Sequence, residues 1–205
     1  MFRTGIIIVA HNSAGHIGAC VDAVNRVRGA QDVVLVIDNA SSDQMPPFDS
    51  GTPVRLIRNA HNAGFAGAVN QGFETLKNDV DAVLLLNPDV VLTTRFDALA
   101  EACQRAGLAG GCLADEQGNP QVGFSFRRFP GPWTLFFETI GLNRIWKSNP
   151  VNRRYRCLDA GYTVSQTVDQ PAGAMLMIRK DVWQQLNGFD ERFHPVAFFQ
   201  YRRQR

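Results

Sequence analysis

The triplet Asn87-Pro88-Asp89 closes an apolar run that begins at Ala82. A run this short and this apolar, bounded by proline, suits a strand buried on both faces of a parallel sheet. Pro88 has no N–H to give a sheet ladder, so the strand must stop there and present Asp89 at its carboxyl end. In open α/β sheets that edge is where ligands bind. A carboxylate so placed can hold a hard divalent cation, Mg²⁺ or Mn²⁺, and the cation can in turn hold a phosphate. The pattern occurs twice more. Residues 6–10 run into His11-Asn12-Ser13, and residues 33–37 run into Asp38-Asn39-Ala40-Ser41-Ser42-Asp43. Parallel strands would bring the three polar clusters to one edge. Taken singly, each cluster reads equally well as a cap or turn, because Asn, Asp and Ser favour both. Their recurrence favours a ligand site.

For those clusters to meet, strands and helices must alternate. Strands are predicted over 6–10, 33–37, 54–57 and 83–86. Helices are predicted over 15–27, 65–76 and 95–106. In the first of them Ile17, Cys20, Val21 and Val24 recur at helical spacing behind the candidate cap Ser13. Such alternation argues for right-handed βαβ units in a parallel sheet. The second half differs. Residues 114–120 carry a turn signal predicted to join two strands. Trp133, Phe136, Phe137 and Ile140 recur at helical spacing after Pro130-Gly131-Pro132. A strand over 168–178 is interrupted at Pro171-Ala172-Gly173-Ala174, and a short helix over 181–186 ends at the C-cap signal Asn187-Gly188.

Composition narrows the classes. With 45% hydrophobic and 20% charged residues, the 205-residue chain can bury a sizeable core. A formal net charge of +2 gives no general case for nucleic acid. No apolar run approaches a membrane span, and residues 6–10 are too few for a signal-peptide core. Cys20, Cys103, Cys112 and Cys157 show no C-x-x-C pair and no metal spacing. They read as reduced, mostly buried thiols of a cytoplasmic protein.

Six motifs stand in order. They are Val9-Ala10-His11-Asn12-Ser13; Ile37-Asp38-Asn39-Ala40-Ser41-Ser42-Asp43; Asn59-x-x-Asn62-x-Gly64-Phe65-Ala66-Gly67-x-x-Asn70-x-Gly72; Leu86-Asn87-Pro88-Asp89; Gly173-Ala174-Met175-Leu176-Met177-Ile178-Arg179; and Gly188-Phe189-Asp190-Glu191-Arg192-Phe193. Together they closely resemble the family 2 glycosyltransferases of GT-A fold, above all the bacterial rhamnosyltransferase-like branch, from residue 6 to residue 193. The resemblance implies an α/β nucleotide-diphospho-sugar transferase fold with a mostly parallel central sheet flanked by helices. It implies one domain over 1–205, with a nucleotide-binding half to residue 112 and an incomplete acceptor-side half beyond. The implied reaction moves a sugar, rhamnose among the candidates, from a dTDP- or UDP-sugar to a saccharide or lipid-linked acceptor of the cell envelope, with inversion.

The resemblance also implies roles. Asp38 matches the acidic residue that reads the nucleobase or ribose, which suits a carboxylate acceptor. Ala10 and Asn12 match the first nucleoside-contacting loop. His11 stands where the family often has an aromatic residue and is assigned no proton transfer; His16 reads as a surface helix residue. Asn62, Gly64 and Asn70 match the loop and helix beside the nucleotide, where glycine allows close approach and a helix N-terminus favours phosphate. Asn87 and Asp89 stand at the D-x-D type metal motif, with Asn in place of its first Asp. Asp89 is then the main metal ligand, and the cation stabilises charge on the leaving diphosphate. Gly173 and Ala174 match a small-residue motif beside donor sugar and acceptor. Asp190 and Glu191 match the Phe-Asp-Glu motif that orients a loop or acceptor.

One departure bears on activity. The family continues from Phe-Asp-Glu into a Glu-Asp segment whose Asp is the general base, whereas no acidic residue follows Glu191 here. The expectation is a chain truncated before that segment, with no catalytic base identified, so a catalytically impaired nucleotide-sugar-binding fragment stands as the first alternative. A nucleotidyltransferase is the second. It would carry a Gly-rich basic loop after the first strand, where this chain has His11-Asn12-Ser13-Ala14-Gly15. A dehydrogenase is disfavoured, since no G-x-G-x-x-G opens the first helix. Residues 127–156 mix aromatic and basic side chains. They suit peripheral contact with the inner face of a membrane, where a lipid-linked acceptor would lie, or core aromatics beneath a solvated basic face.

Overall fold

The computed structural model describes residues 2–48 and 53–193. The acid-free segment from His194 onward lies outside them. Strand β1 (Thr4–Ala10) leads to α1 (Ala14–Val27), β2 (Val33–Asp38), β3 (Val54–Arg58), α2 (Gly64–Leu76), β4 (Ala82–Leu86), α3 (Asp97–Ala106) and β5 (Leu108–Gly110). There follow β6 (Phe126–Arg127), α4 (Pro132–Thr139), α5 (Leu142–Ile145), α6 (Pro150–Tyr155), β7 (Gln170–Pro171), β8 (Met175–Arg179) and α7 (Lys180–Leu186). Two compact units result. The first runs to Ala109 and resumes at Leu176; the second is Gly110–Met175.

The sheet of six strands has the order β3-β2-β1-β4-β8-β5. β1 pairs in parallel with both β2 and β4, and β2 in parallel with β3. Ile7 thereby stands between Leu35 and Leu85. Every residue of β4 is buried, which is why its sequence is an unbroken apolar run rather than an alternating one. Helix α1 buries Ile17, Cys20, Val21 and Val24, as their spacing predicts. Helix α2 lies so close to the sheet that a Cβ on Gly72 would stand 2.9 Å from Ile7 Cγ2 and 3.0 Å from Ile37 Cδ1. Phe73 and Leu76 of the same helix complete one apolar cluster with Leu35, Leu85 and Ile178.

Several expectations change at the level of detail. Ser13 occupies the N-cap of α1 but does not cap it; its Oγ donates to the His11 carbonyl at 3.1 Å. The cap comes from across the sheet, where Asp43 Oδ2 accepts from Ala14 N at 2.8 Å. The helix predicted from residue 95 begins at Asp97, whose carboxylate pairs with Arg95 just before it. The turn at 114–120 forms, with Asp115 Oδ1 accepting from the N–H groups of Gln117 and Asn119. It closes a single antiparallel bridge between Ala114 and Pro120 instead of joining two strands, since Pro120 has no N–H with which to extend a ladder.

In the second unit β6 and β7 pair antiparallel. The helix predicted from Trp133 forms as α4, yet Trp133, Leu135, Phe136 and Ile140 are all exposed. The reading of residues 127–156 as core aromatics is therefore overturned on this helix. Buried amides hold the unit. Asn149 Nδ2 donates to Asn143 Oδ1 at 2.8 Å, and Asn149 Oδ1 caps α6 by accepting from Asn152 N at 2.9 Å. Pro150 at the first helical position suits that cap. Cys20 and Cys103 are buried, but Cys112 is exposed and Cys157 half-buried, so burial holds for only two of the four thiols. Among the described residues, no helix is long and apolar enough to cross a membrane.

Candidate functional site

The register aligns Ala10 with Asp38 across β1 and β2, and Ile8 with Leu86 across β1 and β4. Three strands thus end together, and their polar clusters meet. The first two are clasped to one another. Asn12 adopts a left-handed backbone (φ 51°), and its Oδ1 accepts from Ser42 N at 2.8 Å. Its own N–H donates to Ser41 Oγ at 3.1 Å. Asp38 Oδ1 closes the adjoining turn by accepting from Ser41 N at 2.9 Å.

Buried Asn39 organises the rest. Its backbone N–H donates to the Ala10 carbonyl at 2.8 Å. Its side-chain Nδ2 donates to Asn62 Oδ1 at 2.8 Å, while its Oδ1 accepts from Asn59 Nδ2 and Ala63 N, each at 3.1 Å. Asn62 Oδ1 also accepts from Gly64 N at 2.8 Å, at the start of α2. Gly64 has φ 74°, which a larger residue would rarely adopt. One amide therefore ties the end of β2 to the entry of α2. The sequence pattern gives Asn39 no task within its motif; burial beside Asn59 and Asn62 is the missing signal.

At the end of β4, Val90 N donates back to the Asn87 carbonyl at 3.2 Å. Cys20 Sγ donates to the same carbonyl at 3.5 Å. Burial pushes the Cys20 thiol up to about 12, and the negative charge of Asp89 adds to the rise. The thiol is thus a neutral buttress under the triplet, while Asp89 itself is exposed.

A cavity of about 420 Å³ opens on this edge. Of the residues singled out in the sequence, Asn62, Gly64, Asn87 and Asp89 line it. His11, His16, Asn39 and Phe65 line it too, without having been assigned there. His11 Nδ1 lies 3.0 Å from the Asn39 carbonyl and, facing an acceptor, donates to it. Ala10 and Asp38, at the ends of β1 and β2, and Asn12, in the loop after β1, stand behind the lining.

The remaining residues are placed elsewhere. Asn70 Nδ2 donates to Glu191 Oε1 at 2.7 Å and to the Phe189 carbonyl at 3.0 Å, while its Oδ1 accepts from Phe189 N at 2.9 Å. Both ends of that amide hold the Gly188–Glu191 segment against α2. Gly188 (φ 73°) is needed there, because a Cβ would come within 2.6 Å of Asn70 Oδ1. Phe189 packs edge-on to Trp183 at 5.3 Å. Asp190 is buried and paired with Arg192 at 2.5 Å. The Arg192 side chain holds the Asp190 carboxyl below its ordinary range, against the opposing effect of burial. Gly173 and Ala174 form the turn between β7 and β8 in the second unit, and a Cβ on Gly173 would meet nothing within 4 Å.

A mostly parallel sheet with flanking helices, whose strand ends bring an exposed aspartate and a set of amides around one cavity, defines the GT-A class of glycosyltransferase folds. The chain belongs to glycosyl transferase family 2, whose family model matches residues 5–157. It is 27% identical over 203 residues to the N-acetylglucosaminyl-diphospho-decaprenol L-rhamnosyltransferase of Mycobacterium tuberculosis, covering 92% of this chain and 65% of that protein. It is 24% identical to the low-salt glycan biosynthesis hexosyltransferase Agl10 of Haloferax volcanii, covering 92% of this chain and 56% of that one. Among solved structures, S. aureus TarS 1-349 in complex with UDP superimposes with a TM-score of 0.58 at 15% identity, over 93% of this chain and 51% of that chain. The mannosyltransferase PcManGT of Pyrobaculum calidifontis, in complex with GDP-Man and Mn²⁺, gives 0.51 at 18% identity, over 92% and 47%.

Proposed function

We propose that this chain binds a nucleoside diphosphate sugar at the β1, β2 and β4 edge and serves transfer of the sugar, with inversion, to a saccharide or lipid-linked saccharide. The carrying observation is the cavity in which Asn62, Gly64, Asn87 and Asp89 converge. Phe65 and Val9 offer apolar surface for a base, and the amides offer paired donors and acceptors. Asp38 and Asn12, one layer behind, are assigned to the ribose and base. A pyrimidine donor, dTDP- or UDP-linked, fits the resemblance. A lipid-linked acceptor fits the name of the mycobacterial relative, which places its sugar on N-acetylglucosaminyl-diphospho-decaprenol.

The donor set also fits a divalent cation. Among the described residues, no Lys or Arg lines the cavity and Asp89 is its single carboxylate. Among the described residues no group of three His, Cys, Asp or Glu side chains gathers to cage an ion. Mg²⁺ and Mn²⁺ are commonly held by one or two carboxylates, with phosphate oxygens and water completing the shell. Asp89 would supply that carboxylate, and the ion would supply charge stabilisation for the leaving diphosphate.

Calorimetric titration with UDP, dTDP and GDP, each with and without Mn²⁺, tests the reading. The expected result is metal-enhanced binding of the pyrimidine nucleotides, with the metal-dependent part abolished in Asp89→Ala. Equal affinity with and without Mn²⁺ removes Asp89 from its role. Tighter binding of GDP than of both pyrimidine nucleotides overturns the base assignment.

A further inference from the structure

The second unit contains a cavity of about 410 Å³ lined by Arg127, Arg128, Arg153 and Arg154, with Asp159 and Asp169 as its carboxylates. Among the described residues, four guanidinium groups against two carboxylates leave a net two positive charges in one concavity. Like charges so gathered repel unless an anion offsets them. Asp159 is already engaged by Arg153, which donates to both of its oxygens. Arg127 is fixed in place. Its Nε donates to the Gly123 carbonyl at 3.1 Å, and its guanidinium carbon stands 6.0 Å from the ring centres of both Phe124 and Tyr155. Arg128 and Arg154 have no carboxylate partner among the described residues. Planar forks of N–H donors are the side chains best matched to phosphoryl oxygens.

The surroundings are apolar as well as basic. Helix α6 carries Arg153 and Arg154, and α4 packs against it. On α4, Trp133 is 69% exposed and Phe136 51%. A cationic cleft lined from α6, with a bare aromatic helix packed against α6, fits an amphiphile with an anionic head and an apolar tail. A diphosphate diester carries one negative charge on each phosphoryl group, which matches the net excess of two positive charges among the described residues of the cleft.

We propose that this cleft binds the diphosphate of an isoprenoid-diphosphate-linked saccharide, with α4 taking the start of its hydrocarbon chain. The proposal rests on the glycosyltransferase reading above and assigns the acceptor's anionic group to named residues. The test is equilibrium binding of farnesyl diphosphate to the 205-residue chain, with inorganic diphosphate and farnesol as separate probes. Farnesyl diphosphate binds the parent chain, and R128Q/R154Q weakens it at least about tenfold with unchanged thermal unfolding, as loss of charge-assisted hydrogen bonds requires. W133S/F136S weakens farnesyl diphosphate but not inorganic diphosphate. Unchanged affinity in R128Q/R154Q overturns the cleft. Inorganic diphosphate binding as tightly as farnesyl diphosphate overturns the lipid-linked ligand in favour of free phosphate, and farnesol binding as tightly overturns the anionic head. Titrating UDP with Mn²⁺ into the same variants separates the two readings. Farnesyl diphosphate binding without UDP binding leaves the cleft standing and the donor site refuted; the converse refutes the cleft alone.

Discussion

In the first unit the buried side chains are mostly aliphatic and aromatic, from Ile6 and Ile7 through Leu85 to Ile178, with Thr4, Asn39 and Asp190 as the buried polar ones among the described residues. In the second, the buried side chains among the described residues are Ser125, Thr134, Asn143, Asn149 and Asn152, with Leu113 beside them. Exposure runs the opposite way: Phe124, Phe129, Trp133, Leu135, Phe136, Ile140, Ile145 and Trp146 all lie in the second unit with half or more of their surface in water. The first unit follows the usual rule, in which removing apolar surface from water drives folding. The second is defined by hydrogen bonds, which specify a conformation but contribute only about 0.5–1.5 kcal/mol each. Its apolar surface is left free to meet something else.

The contrast can be broken most sharply in the core. Leu85→Ala removes a fully buried side chain from the central sheet and should cost about 2–5 kcal/mol, read from urea unfolding. A loss below about 1 kcal/mol would mean that the parallel sheet is not the stabilising core.

Thiol chemistry divides the units next. At pH 8, alkylation with peptide mapping should mark Cys112 and Cys157 at least about a hundredfold faster than Cys20 and Cys103, which must await local opening. Burial holds the Cys20 thiol near 12 and that of Cys103 near 11, each against an ordinary 9.0. A raised folded value means that the native state retains its proton more firmly than the unfolded chain. The corresponding stability is complete below pH 9 and declines as pH rises toward 12. Cys20→Ala should flatten that alkaline decline; an unaltered slope would refute the buttress role of Cys20.

A smaller effect is expected from Asn149→Ala. It removes the α6 cap and the hydrogen bond to Asn143, for a cost of about 1–3 kcal/mol. Amide hydrogen exchange should place the loss in residues 132–155. A loss spread equally through the β1–β4 sheet would show that the two units do not behave as separate cooperative bodies.

The smallest change belongs to Phe136→Ser. An exposed aromatic contributes little to folding, so stability should move by no more than about 0.5 kcal/mol. A cost matching that of Leu85→Ala would show that α4 is covered in solution and that the comparison is false.

Much of the first unit was legible because its signals are local. Continuous apolar runs mark strands buried on both faces, Pro88 marks where one must stop, and the spacing from Ile17 to Val24 marks the buried face of α1. The line of strand ends follows from the topology rules for parallel sheets. That much also places Asn87 and Asp89 at one edge, whereas Asn62 and Gly64 are placed beside them by the family resemblance. The second unit was less legible, because periodicity identifies α4 as a helix without saying that its apolar face is left bare.

What the sequence determined by itself was the parallel α/β sheet, the order of its elements and the family to which six ordered motifs belong. Side-chain partnership was decided only in three dimensions. Asp43 rather than Ser13 meets the N-terminus of α1, Asn39 binds the entry of α2 to the end of β2, and Asn70 faces Glu191 instead of the cavity. Each of these bonds joins residues separated by many positions in the chain, and an asparagine or aspartate can satisfy its donors and acceptors locally or at a distance with similar energy. Propensity and spacing cannot choose between those outcomes; the packing of α1 and α2 on the sheet does, by bringing one set of partners within reach.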